Sequence, residues 1–143
     1  MRLSWDQYYL KMAEVAGLRS ACLSRKVGAI IVKNNRVLST GYNGVPAGLP
    51  HCTSCKRTSG EKLETCSAVH AEQNAILYAL KEFGDISGST IYVSTQPCTT
   101  CCKLIITAGI KRVIFMNRYA DDLGLNLLIL GGVELKHLEG VEL

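Results

Sequence analysis

The sequence lacks long apolar runs and contains few prolines and few aromatic residues. Its longest stretch without a polar side chain is residues 127–133, far shorter than the roughly 20 residues that a membrane-crossing helix needs. The 143 residues include 3 prolines and 6% aromatic residues, and 48% of them are hydrophobic. Such a composition is typical of a folded globular domain rather than of a disordered or fibrous chain. We expect one domain over residues 1–143 and no membrane partner.

The sequence also lacks a concentration of charge of one sign. The formal net charge is +4, and the basic residues are scattered from Arg2 to Lys136. Because nucleic-acid-binding domains usually gather their basic residues on one face, this pattern fits a small anionic ligand at least as well, and nucleic acid is not an expected partner. Asp6, Gln7 and Lys11 interrupt the apolar core that a secretory signal would need. We expect a cytoplasmic protein.

Cysteine is the residue type that stands out. Seven cysteines occur, at positions 22, 52, 55, 66, 98, 101 and 102. An odd number of cysteines in a protein expected to stay in a reducing compartment argues against a framework of disulfides. We therefore expect some of the cysteines to bind a metal or to take part in thiol chemistry, and the motifs around them indicate which.

The hydrophobic periodicity predicts alternating helices and strands. The predicted helices cover residues 5–16, 71–82, 99–108 and 122–130, and the predicted strands cover 27–33, 36–42, 89–94, 112–116 and 133–135. Strands separated by single helices in the second half indicate parallel crossovers, so we expect a mixed sheet with helices on both faces. Residues 43–69 are predicted to form a long loop. In a compact domain a loop of this length is usually functional, and a bound metal ion could hold it in place.

Two short motifs carry candidate chemistry, HAE at 70–72 and PCTTC at 97–101. His70, Cys98 and Cys101 form a set of three zinc ligands that leaves a fourth position for water, as in catalytic zinc sites. Cysteines at the entry of a helix are favoured as thiolates by the helix dipole. Residues two apart in a helix point about 200° apart, so Glu72 can join His70 only if His70 occupies a non-helical N-cap. Glu72 could then act as general acid and base.

H-x-E followed by P-C-x-x-C is the signature of zinc nucleobase deaminases. Beyond it, the segments CLSRKVGA at 22–29, STGYNGVPAG at 39–48 and VHAEQNAI at 69–76 resemble deoxycytidylate deaminases, including the competence-operon and phage forms. The resemblance covers roughly residues 5–138. It implies an α/β fold of the cytidine-deaminase type, with three α/β/α layers and a mixed five-stranded sheet. It also implies hydrolysis of dCMP to dUMP and ammonia, which supplies the precursor of dTTP.

The resemblance implies a role for each matching position. The catalytic zinc would be held by His70, Cys98 and Cys101, with Glu72 as the proton shuttle. Substrate contacts would come from Ser24 and Lys26 near the phosphate, Asn43 at the nucleoside, Ala71, and Tyr119 closing over the substrate. The resemblance further implies a homo-oligomer, often a hexamer, that dCTP activates and dTTP inhibits. The effector, with Mg²⁺, would lie near residues 41–44.

Related enzymes often hold a second, structural zinc with cysteines that match Cys22 and Cys52. Cys55 and Cys66 would complete a closed four-thiolate site in the long loop, and His51 is a reserve ligand. Cys102 points about 100° away from Cys101 on a helix, so we expect it to pack in the core as a small apolar residue.

Other deaminases of the same fold and a non-catalytic zinc module remain open from the sequence. A tRNA adenosine deaminase shares both motifs, but the modest charge and the absence of a basic C-terminal helix weigh against RNA binding. Nucleoside cytidine deaminases are disfavoured because their first ligand is typically Cys, and guanine or free-base deaminases remain as minor alternatives. A non-catalytic zinc module that binds a partner would have no need of the carboxylate of Glu72.

Overall fold

The computed structural model describes residues 2–55 and 66–140. Within them the chain forms, in order, α1 (Trp5–Gly17), β1 (Gly28–Lys33), β2 (Arg36–Tyr42), α2 (Ala71–Phe83), β3 (Thr90–Thr95), α3 (Thr99–Thr107), β4 (Arg112–Asn117), α4 (Asp122–Leu130) and β5 (Glu134–His137). Every predicted helix and strand is confirmed. Residues 56–65 of the predicted loop lie outside the described residues. None of the described helices combines the length and apolar character that a membrane span requires.

Local sequence signals account for where the first elements begin and turn. Ser4 caps α1, because its hydroxyl accepts from Gln7 N at 3.1 Å while Gln7 Oε1 accepts from Ser4 N at 2.8 Å. This reciprocal capping box satisfies two donors at the helix start. Asn34 and Asn35 have φ angles of 53° and 55°, which a type I′ turn requires of both central residues. The β1–β2 hairpin therefore follows from its turn residues.

The five strands form one mixed sheet in the order β2-β1-β3-β4-β5. β1 pairs antiparallel with β2 and β3, whereas β3, β4 and β5 run parallel. The expectation of a mixed five-stranded sheet is confirmed. Because β3 and β4 are parallel, their carboxyl ends lie at the same edge, where the following helices begin and where ligands bind in open α/β sheets.

The helices cover both faces of the sheet, which gives the three α/β/α layers expected from the sequence. α1 packs on one face, with Tyr9, Leu10 and Ala13 against alternate residues of β1, β3 and β4. α2, α3 and α4 pack on the opposite face, in a second cluster that includes Ile31, Val93 and Phe115. Successive strand residues point to opposite faces, so the central strands are buried on both sides.

Asp6 fastens the start of α1 to three strands. Its carboxylate accepts from Tyr92 Oη at 2.7 Å, from Lys136 Nζ at 3.1 Å and from Arg112 at 3.2 Å. Burial raises the pKa of Asp6, but these three hydrogen bonds outweigh it and hold the pKa below its usual value. The ionised carboxylate thereby joins α1 to β3, β4 and β5.

Gly41 allows β2 to approach α2 more closely than any other residue would. A Cβ at Gly41 would overlap the carbonyl oxygen of Ala71 and the backbone nitrogen of Ala75. Ser39 Oγ also donates to the Ala75 carbonyl at 2.6 Å. Since α2 carries Glu72 in its first turn, this contact sets the position of a candidate catalytic group.

We expect Gly41→Ala to lower the free energy of unfolding by about 1–3 kcal/mol, the usual cost of forcing extra volume into close packing. Gly44→Ala is the matched control, because the nearest atom to a Cβ there is Tyr42 Cε2 at 4.0 Å. Urea unfolding of both variants measures the difference. Equal losses would contradict the assignment of a special role to Gly41.

Candidate active site

A pocket lies where the amino ends of α2 and α3 meet the carboxyl end of β3. His70, Glu72 and Cys98 line it, together with Ser24, Arg25, Asn43, Ala71, Gln96 and Tyr119. The two sequence motifs therefore meet in one cavity, although 24 residues separate Glu72 from Pro97. The parallel β3–α3–β4 arrangement produces this meeting, because it brings the start of α3 to the edge where α2 also begins.

His70 occupies the N-cap of α2. Its φ and ψ angles of −69° and 152° are those of extended backbone, and its peptide nitrogen donates to Gln73 Oε1 at 2.8 Å. The sequence analysis required His70 to occupy a non-helical N-cap if it was to lie beside Glu72, and this position is confirmed. Because the cap residue leaves the helical direction, its ring turns into the pocket that Glu72 also lines.

Cys98 occupies the corresponding position of α3, with extended φ and ψ angles of −71° and 168°. His70 Nδ1 lies 3.5 Å from Cys98 Sγ and 3.3 Å from Cys101 Sγ. The Zn–N and Zn–S bond lengths of a tetrahedral site imply nitrogen–sulfur separations of about 3.6 Å. The three donors therefore fit zinc. In the described part of the chain, they are the one group of three or more His, Cys, Asp or Glu ligand atoms that all lie within 4.8 Å of one another.

The two thiols of this cluster differ in their acidity. Hydrogen bonds from Cys101 and from His70 lower the pKa of Cys98 to about 4, although burial opposes this. The same hydrogen bond and burial raise the pKa of Cys101. The thiolate form is therefore favoured at Cys98 over Cys101, and a metal ion deprotonates a coordinating thiol. The donor set suits a soft or borderline divalent cation.

Glu72 is the buried acid of the pocket. Only 4% of the residue is exposed. Burial raises the pKa of Glu72 to about 7. A carboxyl group with a pKa near neutrality can both accept and donate a proton at physiological pH, which is what general acid–base catalysis requires.

Of the predicted substrate residues, Ser24, Asn43, Ala71 and Tyr119 line the pocket. Arg25 also lines the pocket, whereas Lys26 is not among the described residues that line it. Arg25 was missed by the sequence analysis, which chose its basic neighbour from the same run. The Arg25 guanidinium carbon lies 5.5 Å from the centroid of the Tyr119 ring, within the range of a cation–π contact. The role of Lys26 stays a prediction.

Asn43 braces the segment that carries Arg25. Its Oδ1 accepts from Val27 N at 2.9 Å, and its Nδ2 donates to the Arg25 carbonyl at 2.8 Å. Each of these atoms retains one further hydrogen-bonding position. Asn43 can therefore shape the pocket and still contact a ligand.

Four of the cysteines lie along a second groove. Cys22, Cys52, Cys55 and Cys66 all line it, and Cys22 and Cys66 also line the pocket of His70. They are not among the described groups of three ligand atoms within 4.8 Å, so the structural zinc stays a prediction. Cys102 is fully buried, and burial raises its pKa to about 12, which confirms its expected place in the core.

Comparison with known proteins decides the family. Residues 3–117 match the family described as the cytidine and deoxycytidylate deaminase zinc-binding region. The chain belongs to this family. The matched range contains all three zinc-compatible donors and Glu72, so the deaminase family and the geometry of the cluster agree.

Relatives extend the family match over nearly the whole chain. A deoxycytidylate deaminase of Mycobacterium phage D29 is 45% identical over 80% of this chain and 95% of its own length. The deoxycytidylate deaminase of Schizosaccharomyces pombe is 41% identical over 94% of this chain, which spans 44% of that longer protein. The dCMP deaminase of cyanophage S-TIM5, solved in complex with dCMP and dUMP, has a TM-score of 0.84 and 35% identity, and covers 96% of this chain and 99% of its own.

Proposed function

We propose that this chain catalyses the hydrolytic deamination of dCMP to dUMP and ammonia. The observation that carries the proposal is the meeting of the buried Glu72 carboxyl with the His70, Cys98 and Cys101 donors in one pocket. The similar cyanophage dCMP deaminase, solved with substrate and product, supports the choice of nucleotide. The reaction adds water at C4 of the cytosine ring and releases the exocyclic amine.

In this proposal His70, Cys98 and Cys101 hold a zinc ion, which when bound lowers the pKa of water toward about 7 and so supplies a nucleophile at neutral pH. Glu72 accepts a proton from the attacking water, because its pKa near 7 leaves much of it ionised. The same carboxyl group gives this proton to N3 of the ring, then accepts the second proton of the added water from the oxygen at C4 and passes it to the amine, which leaves as ammonia. The buried pocket keeps Glu72 from exchanging this proton freely with solvent.

We assign substrate recognition to the pocket residues on the loops. Ser24 and Arg25 lie beside each other in sequence and both line the pocket, so their hydroxyl and guanidinium groups are available to a phosphate. Lys26 remains a candidate for the same phosphate from its place in sequence. Asn43 and Ala71 contact the nucleoside, and Tyr119 closes over it. Arginine suits phosphate because its fork of donors matches the phosphate oxygens.

A second, structural zinc on Cys22, Cys52, Cys55 and Cys66 is also proposed. All four line one groove, and four thiolates are a common ligand set of a closed structural zinc site. An ion there would fasten the loop next to the active site, since Cys22 and Cys66 line both cavities.

Regulation, assembly and location are proposed from the resemblance. Gly41, Tyr42 and Gly44 line the second groove together with Arg19, a basic residue suited to dCTP or dTTP, with or without Mg²⁺. A homo-oligomer such as a hexamer would cover the large exposed apolar residues of α2 and α4, which are Leu77, Tyr78, Leu80, Phe83, Leu123, Ile129 and Leu130. Extended apolar surface is typical of interaction sites. The cysteine-rich metal chemistry suits the cytoplasm.

Replacing Glu72 tests the catalytic proposal. We expect Glu72→Ala to lower kcat for ammonia release from dCMP by at least about 100-fold, the usual range for removing a general acid and base, while zinc content stays unchanged. Glu14→Ala, which removes an acid paired with Lys11 on α1, is the control and keeps wild-type turnover. Retained turnover in Glu72→Ala would reject the mechanism.

Replacing Arg25 tests the recognition of phosphate. Because a hydrogen bond to a charged group contributes about 1.5–3 kcal/mol, we expect Arg25→Gln to raise KM for dCMP about 10-fold or more and to leave deoxycytidine turnover little changed. Lys26→Gln is measured in parallel with both substrates. A larger increase of KM for dCMP in Lys26→Gln than in Arg25→Gln would assign the phosphate contact to Lys26. Equal effects of Arg25→Gln on dCMP and deoxycytidine would exclude phosphate contact by Arg25.

Zinc analysis tests the two metal sites separately. We expect about two zinc ions per purified chain, as one catalytic and one structural site require, and about one in either Cys101→Ser or Cys52→Ser. Thr53→Ala, next to Cys52 but without a metal-binding side chain, is the control and keeps the full content. A single ion in the unmodified chain, lost in Cys101→Ser and kept in Cys52→Ser, would reject the structural site alone.

A further inference from the structure

Gln96 stands at the point where β3 and β4 separate. The parallel ladder ends with the pair Thr95 and Asn117, and Gln96 N then donates to the Asn117 carbonyl at 2.7 Å. Beyond this bond one strand leads through Pro97 to the metal-ligating start of α3, and the other leads to Tyr119. Gln96 is 4% exposed, so its amide must find partners inside the protein.

The side chain of Gln96 bridges this gap. Its Oε1 accepts from Tyr119 N at 3.1 Å, and its Nε2 donates to the Asp121 carbonyl at 3.0 Å. The Gln96 side chain thus makes two further hydrogen bonds to the segment that follows β4, beyond the end of the backbone ladder. Removing the amide would take a hydrogen bond from both partly buried backbone partners, and this costs more free energy than the loss of one exposed hydrogen bond.

The side chain of Asp121 makes a second connection, from the segment after β4 back to the start of α3. Its Oδ2 accepts from Thr99 N at 3.2 Å and from Thr99 Oγ1 at 2.6 Å. Thr99 is the first residue of α3 and follows Cys98 directly. The segment 118–121 is therefore fastened to the start of the helix that supplies two metal donors, once through Gln96 and once through Thr99.

We propose that Gln96 is a positioning residue, which holds Tyr119 at the pocket opposite Arg25. The carbonyl and nitrogen that flank the Tyr119 side chain are both engaged, the carbonyl accepting from Asp121 N at 2.8 Å and the nitrogen donating to Gln96. The ring consequently keeps its place 5.5 Å from the Arg25 guanidinium. The inference rests on the proposed function, in which Tyr119 closes over bound dCMP.

A double-mutant cycle tests whether Gln96 acts through Tyr119. Gln96→Met removes both side-chain hydrogen bonds and keeps the length of the side chain, and we expect it to lower kcat/KM for dCMP about 10-fold, mostly through KM. In the Tyr119→Ala background the same change should lower kcat/KM less than 2-fold, as expected for coupled residues. An equal loss in both backgrounds would show that Gln96 acts on substrate or structure directly and would overturn the proposal.

Two further variants separate positioning from general destabilisation. Thr99→Val weakens the second connection and should give a smaller loss that also depends on Tyr119. Gln7→Met removes a comparable amide from the capping box of α1 and should leave kcat/KM unchanged. A loss in Gln7→Met as large as that in Gln96→Met would overturn the proposal, and so would Thr99→Val losing activity independently of Tyr119.

Hydrogen exchange tests the same inference without turnover. In the zinc-loaded protein, exchange of the Tyr119 amide should accelerate at least 10-fold in Gln96→Met and stay unchanged in Gln7→Met. Unchanged exchange in Gln96→Met would overturn the positioning role even if dCMP is the substrate. Accelerated exchange in a protein whose unmodified form fails to deaminate dCMP would support the positioning role and reject the proposed function alone.

Discussion

The chemistry of this chain depends on two helix N-caps that face each other. His70 and Cys98 both have extended backbone immediately before a helix, and this lets their side chains point away from the helical directions that follow. A regular helix through residues 70–72 would separate His70 from Glu72 by about 200°. The close contact of Gly41 with α2 and the parallel pairing of β3 with β4 then bring the two caps to one edge of the sheet.

Burial and hydrogen bonding act in opposite directions on the two acids that the pocket needs. Cys98 receives hydrogen bonds from Cys101 and His70, which lower its pKa to about 4, whereas burial dominates at Glu72 and raises its pKa to about 7. The surroundings therefore favour the thiolate at Cys98 and allow Glu72 to exchange a proton near neutral pH. Environments that move the pKa values of neighbouring acids apart are a general way to divide catalytic roles.

Most of the fold and the metal-compatible cluster could be predicted, because their signals are local. Hydrophobic periodicity located the helices and strands, and the capped start of α2 followed from the need to join His70 and Glu72. The contribution of Arg25 could not be predicted, since choosing between Arg25 and Lys26 requires knowing which way an irregular segment turns. Gln96 was missed for a related reason: its partners Tyr119 and Asp121 become neighbours only where β3 and β4 separate.

The donor cluster and the opposite wall of the pocket are built by different means in this fold. The metal donors and Glu72 lie at the ends of rigid helices, but Arg25 and Tyr119 lie on irregular segments, and each segment is braced by one side-chain amide. Asn43 binds the Arg25 carbonyl and the Val27 nitrogen, and Gln96 binds the Tyr119 nitrogen and the Asp121 carbonyl. Each amide thus pairs with two backbone groups that lie two residues apart. The shape of this pocket wall can therefore change through the bracing amides while the helix caps stay the same.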